Sequence, residues 1–179
     1  MKKLFVLVII SALVAYGFWA LFIQKWRGND NLKYINTKHS YSFQYSPDWN
    51  LMGDPQDDVV MLYNTDTPPG DGGVPAGVKV DIMFLENYDD LSLEDWIEQM
   101  SQGESEQEVF TEENTTVDGI EAIRRTFSPT FVELGEGAPT SIYFMKENYI
   151  IMINYLGREP DYNLQRGNFE MMLATFNFK

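Results

Sequence analysis

The one histidine, His39, is the first candidate for chemistry, since an imidazole beside a hydroxyl forms the core of a nucleophile–base pair. Ser40 follows it directly. In an extended segment, however, adjacent side chains point to opposite faces, so these two cannot pair. Nothing in the sequence marks another serine as the partner, and His39 reads as a turn or strand-end residue. Carboxylates are plentiful: Asp57-Asp58, Asp89-Asp90 and Glu112-Glu113 are sequence neighbours. Glycoside hydrolysis needs two carboxyl groups facing each other across a cleft, which adjacency along the chain does not ensure. They read as solvated loop and edge residues. Arg124-Arg125 is the one basic pair in the acidic part of the chain and reads as half strand salt bridge and half solvated, the alternative being a contact to an anion or acidic partner.

The stretch Thr65–Gly77 (TDTPPGDGGVPAG) holds three prolines and four glycines, too many for a regular element. Tested as a calcium loop starting at Asn64, it has Asp66 at position three. Pro68 then falls at position five, Pro69 where the invariant glycine belongs, and Pro75 at position twelve, which excludes an EF-hand. Looser calcium coordination by Asp66, Asp71 and loop carbonyls stays open, because hard oxygen ligands suit that ion. No Gly-Lys-Ser/Thr ending supports nucleotide binding. The loop reads as a contact site for a partner, with Thr65, Pro68, Pro69, Asp71 and Pro75 as candidates. Asn114-Thr115-Thr116 fits a glycosylation sequon, which matters only in a eukaryotic secretory setting. Cysteine is absent, which removes disulfides, thiolate metal sites and thiol nucleophiles together.

Around these candidates the elements can be placed from periodicity. Tyr41, Phe43 and Tyr45 alternate with polar residues and end at Ser46-Pro47-Asp48, a half-buried strand after which Trp49 closes one end of the core. Val59–Tyr63 is a second short run. Val78, Val80, Ile82 and Phe84 share one face of a clear strand. Ser92 can cap a helix that carries Leu93, Trp96, Ile97 and Met100 at helical spacing and ends near Gly103. That apolar face predicts Trp96 as core, and the set Tyr41, Phe43, Tyr45, Trp49 and Trp96 reads as core rather than as a ligand pocket. Asp118-Gly119 predicts a tight hairpin between Val109–Val117 and Ile120–Ser128, and Glu147-Asn148 another between Thr140–Lys146 and Tyr149–Leu156. The last of these is apolar on both faces, as a central strand should be. A final helix carries Phe169, Met172, Leu173 and Phe176, with Phe176 and Phe178 leading into a last strand. Hairpins followed by helices predict an α+β fold, a central antiparallel sheet flanked by helices.

The charge is unevenly spread. All 27 acidic residues lie at or after Asp30, whereas Lys2, Lys3, Lys25 and Arg27 flank the first apolar run. From Gly28 onward nine basic residues face 27 acidic ones, a net of −18. Such a surface repels phosphate backbones, so no nucleic-acid partner is expected. Leu4–Ile23 is twenty uncharged residues, which as a helix span ~30 Å, the thickness of a hydrocarbon core. The expected organisation is a transmembrane anchor over residues 1–27, a linker over 28–32 and a domain over 33–179. Lys2 and Lys3 on a short tail favour a cytoplasmic N-terminus and an extracytoplasmic domain, a single-pass membrane protein. The alternative is a cleaved signal peptide with Ala15-Tyr16-Gly17 as its site, releasing a secreted domain.

Several segments, taken in order, resemble the PsbP-like superfamily, named for an extrinsic photosystem II subunit and including exported bacterial proteins and a eukaryotic Ran-binding relative. They are Tyr41-Ser42-Phe43-Gln44-Tyr45-Ser46-Pro47-Asp48-Trp49, Ser92-Leu93-Glu94-Asp95-Trp96-Ile97, Asp118-Gly119-Ile120-Glu121-Ala122, and Phe169 through Phe178. The resemblance covers most of the chain from about Lys33. It implies a PsbP-like sandwich of sheet and helices used for docking rather than catalysis, and it carries over no functional residue. The N-terminal apolar run and the proline-glycine loop depart from the photosynthetic subunit, so a role in oxygen evolution is not implied.

The function expected from the sequence is a non-enzymatic, membrane-anchored extracytoplasmic binding or accessory module, docked to a protein of the cell envelope and needing no cofactor. An envelope hydrolase using carboxylates as acid and base is the alternative, as is a sensor of a cation or small ligand. Retention of Leu4–Ile23 predicts that the mature N-terminus precedes Leu4 and that protease added to spheroplasts digests the domain. N-terminal sequencing that begins at Phe18 on a soluble protein would reject it.

Overall fold

An apolar residue at every second position makes one buried sheet face, and this pattern recurs along most of the chain. The computed structural model describes residues 31–66, 76–103, 109–130 and 135–179, with Leu32–Lys179 as one unit. The elements run β1 (Leu32–Asn36), β2 (Tyr41–Tyr45), β3 (Asn50–Met52), β4 (Val59–Tyr63), β5 (Val78–Glu86), α1 (Leu93–Gly103), β6 (Val109–Val117), β7 (Ile120–Phe127), β8 (Thr140–Lys146), β9 (Tyr149–Gly157), α2 (Asp161–Ala174) and β10 (Asn177–Phe178). Seven strands form one antiparallel sheet in the order β3-β4-β5-β9-β8-β7-β6, and β1-β2-β10 form a second.

The inner face of the large sheet is set by register. Val80, Ile82 and Phe84 of β5 lie opposite Tyr155, Ile153 and Ile151 of β9, which face Thr140, Ile142 and Phe144 of β8. Tyr41 and Phe43 of β2, Phe169 and Met172 of α2, and Phe176 cover this face and are themselves buried. The Tyr41 ring stacks on Phe84 at 4.9 Å and on Phe176 at 5.0 Å. Trp49 closes one end, its indole N–H donating to Gln165 Oε1 at 2.7 Å. Burial of each large side chain here contributes about 1.5–3 kcal/mol.

The expectation of an α+β fold, a central sheet flanked by helices, is overturned. The described chain is mostly β, with ten strands and two helices of 11 and 14 residues. Leu32–Asn36, Asn50–Met52 and Asn177–Phe178 are short strands without strong alternation, and two of them pair with β2 into a small sheet that takes the place of a helical layer. Among the described residues no helix is long and apolar enough to cross a membrane. The run Leu4–Ile23 lies outside the described residues.

A second correction concerns α1. Ser92 caps it as expected, its Oγ accepting from Asp95 N–H at 3.1 Å. The helix lies over the outer face of the large sheet, where only Ile97 is fully buried, while Trp96 is half-buried and Met100 is 42% exposed. The Trp96 ring sits 6.4 Å from that of Tyr143. Helical spacing showed which residues share a face but not how closely that face meets the sheet.

These two environments separate two truncations. Phe169→Ala, in the inner core, is expected to cost about 3–5 kcal/mol. Trp96→Ala removes a side chain already half in water and is expected to cost about 1–2 kcal/mol by the same area reasoning. Urea unfolding of both variants checks the order, and equal losses would show that the outer face is packed as tightly as the inner one.

Candidate functional site

His39 lies in the β1–β2 turn and, among the described residues, bonds no serine. Its ring is buried against Phe84, stacked at 4.1 Å, with Tyr149 edge-on at 4.8 Å. Its Nε2 sits 2.6 Å from Asp58 Oδ1, and Lys38 Nζ lies 2.6 Å from the other oxygen. Thr37 and Lys38 N–H groups donate to Pro55 C=O, and Asn36 Nδ2 donates to Asp57 C=O. This is a junction that ties the small sheet to the β3–β4 loop. The carboxylate neighbours divide likewise: Asp57 accepts from Asp54 N–H at 2.6 Å. Glu112 and Glu113 stand on opposite faces of β6 and pair with Arg125 at 2.6 Å and Arg124 at 3.7 Å. Arg124 also meets Glu170 of α2 at 2.5 Å. Both arginines are therefore engaged in salt bridges, where the sequence reading left one of them solvated.

Of the loop candidates, Pro68, Pro69, Asp71 and Pro75 lie outside the described residues. Thr65 and Asp66 are at the loop's base, where Thr65 C=O accepts from Asn50 Nδ2 at 2.8 Å. Asn64 Oδ1 accepts from Val78 N–H at 2.7 Å. A Cβ on Gly77 would lie 2.1 Å from that same oxygen, so a side chain here would push Asn64 away from the Val78 N–H. Among the described residues no three metal-ligating side chains gather. The structure leaves the loop's contribution to binding where the sequence put it.

The sequence reading missed a groove of about 880 Å3 between the first turn of α1 and the β6–β7 hairpin. Ile123 and Met145 make its apolar floor, Leu93 and Glu94 one wall, and Asn114, Thr116 and Glu121 the other. Two elements position it. Ser92 ends the chain's approach to α1 and starts the helix there, and Asp118 and Gly119, both at positive φ (51° and 75°), turn the hairpin tightly. The lining includes two exposed carboxylates, Glu94 and Glu121, and no basic residue. Chemically it can hold a cationic group beside an apolar one. One signal was visible in the sequence: Val109–Val117 lacks apolar alternation, as an edge strand does, but the helix that walls the groove comes from elsewhere in the chain.

No family profile matches the sequence, and no curated protein matches it. Solved structures do. The solution structure of cyanobacterial PsbP from Synechocystis has a TM-score of 0.55 over 83% of this chain and 92% of its own, at 15% identity. The crystal structure of the Saccharomyces cerevisiae Ran-binding protein Mog1p reaches 0.51 over 83% of this chain and 95% of its own, at 12% identity. The fold is PsbP-like, in agreement with the resemblance carried by the sequence segments. At these identities the likeness defines fold alone.

The junction at Asp58 sets an acid limit on the small sheet. Lys38, then His39, hold the Asp58 carboxyl below the ordinary carboxylate range through hydrogen bonds. A depressed folded pKa means the contribution is present above the unfolded value, near 3.9, and is lost as pH falls through the folded one. Asp58→Asn is therefore expected to lower stability at neutral pH and to converge with the parent chain as the carboxylate titrates at low pH. Thermal melts from pH 7 to pH 2 check this, and a difference that stays constant across the range would exclude the ion pair as its cause.

Proposed function

We propose that this chain is a non-catalytic binding or accessory module that docks a protein partner through the groove beside β6, held at the outer side of a membrane by its N-terminal apolar run. The groove carries the reading: it joins an apolar floor to two exposed carboxylates, Glu94 and Glu121, that have no basic neighbour in its lining, on a strongly acidic chain. A general acid in a hydrolase needs a carboxyl group whose pKa burial has raised, whereas Glu94 and Glu121 are both exposed. The one imidazole is occupied in the Asp58 junction. The PsbP-like fold supports the same reading, since a solved protein of similar fold, Mog1p, is a Ran-binding protein. The apolar run Leu4–Ile23 and the net charge of −18 from Gly28 onward support an exported location for a basic partner.

The test uses the full chain in its native membrane, with a photo-crosslinking amino acid at Leu93 in the groove or at Leu164 on α2. Leu164 is 72% exposed and lies outside the groove lining. A discrete protein adduct from position 93 and none from position 164 is expected. Equal adducts at both positions, or none at position 93, would reject the groove as the docking surface.

A further inference from the structure

On the reading that the groove docks a protein, we infer that the partner enters as an extended basic segment that adds an eighth strand to the large sheet along β6. The strand order ends at β6, and among the described residues nothing pairs with its outer side. An unpaired edge presents a row of N–H and C=O groups that another extended chain can satisfy. Its phase follows from the hairpin. The two-residue turn at Asp118-Gly119 closes on the Val117–Ile120 pair, which in this turn type is hydrogen-bonded. Antiparallel alternation then directs the backbone groups of Val117, Thr115 and Glu113 at β7, and those of Thr116, Asn114 and Glu112 away from it.

The same alternation puts the side chains of Thr116 and Asn114 on the outer face, where they line the groove. A strand added here would project every second side chain over that groove. Those side chains would meet Glu94 and Glu121, which have no basic neighbour in the lining, and the apolar floor of Ile123 and Met145. Charge complementarity therefore fixes the occupant as lysine- or arginine-bearing at the positions that face the groove, where the aliphatic stems can lie on the apolar floor. The far end is also marked. The ladder shifts between Val109 and Thr111, a bulge that leaves Phe110 73% exposed. A bulge interrupts further pairing and re-aims its side chain, so Phe110 stands at the end of the seat as an aromatic contact.

The probe is a fluorescein-labelled peptide of about nine residues in which lysine alternates with valine, titrated by anisotropy against the full chain in detergent. A second peptide carries glutamate in place of lysine. Asn114→Pro removes one outward N–H without touching the β7 ladder, and proline is tolerated on edge strands. Asn114→Thr removes the amide side chain but keeps the N–H. Strand addition predicts binding of the lysine peptide, no binding of the glutamate peptide, retention in Asn114→Thr and a loss of roughly tenfold or more in Asn114→Pro. Hydrogen exchange on the unaltered chain needs no folded variant, and it should show new protection at the amides of Glu112, Asn114 and Thr116. Protection that spares these amides, equal binding by Asn114→Pro, or binding of the glutamate peptide would each overturn the inference. A groove adduct at position 93 that forms undiminished in Asn114→Pro would leave the docking function intact while rejecting strand addition as its mode.

Discussion

Stacking of Tyr41 between Phe84 and Phe176 joins three parts of the chain that are remote in sequence: the small sheet, the centre of the large one and the segment leaving α2. Each ring buries a large apolar surface, and near-parallel offset stacking adds about 0.5–1.5 kcal/mol per pair beyond that burial. Because the rings must lie in register, β2 can take only one position over β5. That position brings the His39 turn onto Phe84 and within reach of Asp58, and it sets β10 beside β2. The small sheet is thus fitted to the large one by its aromatics, with the polar junction as a consequence.

Much of this was legible in the chain. Strands with clean alternation, such as Val78–Glu86, and hairpins with Asp-Gly or Glu-Asn turns emerged with nearly their observed bounds, because periodicity and turn chemistry are local properties. The short strands Leu32–Asn36 and Asn50–Met52 were not anticipated, since each exists only through a partner supplied by another part of the chain. The same limitation explains the error in fold class. Counting hairpins and helices gave the parts, but not that a three-stranded sheet, rather than helices alone, would cover the inner face.

The site divides in a similar way. The geometry of adjacent residues was enough to separate His39 from Ser40 and to place it in a turn, whereas Asp58, Glu112 and Glu113, read as solvated, are engaged in ion pairs whose partners other strands and turns supply. The groove was invisible, as it needs Leu93 and Glu94 to be set against Thr116 and Glu121 by the packing of α1 on the outer face. Trp96 shows why that packing was hard to read: its helical face is apolar, yet it is only half covered.

The acidic edge of β6 has a further meaning for how the protein coexists with copies of itself. An exposed strand invites an identical strand to zip against it, the usual beginning of sheet-driven aggregation. Here each of two approaching copies would carry a net charge of −18 from Gly28 onward, with Glu94 and Glu121 exposed beside the same edge. Mutual repulsion therefore keeps the molecules apart while leaving the edge open, so that the same acidity guards against self-association and leaves the ladder free for chains of the other sign.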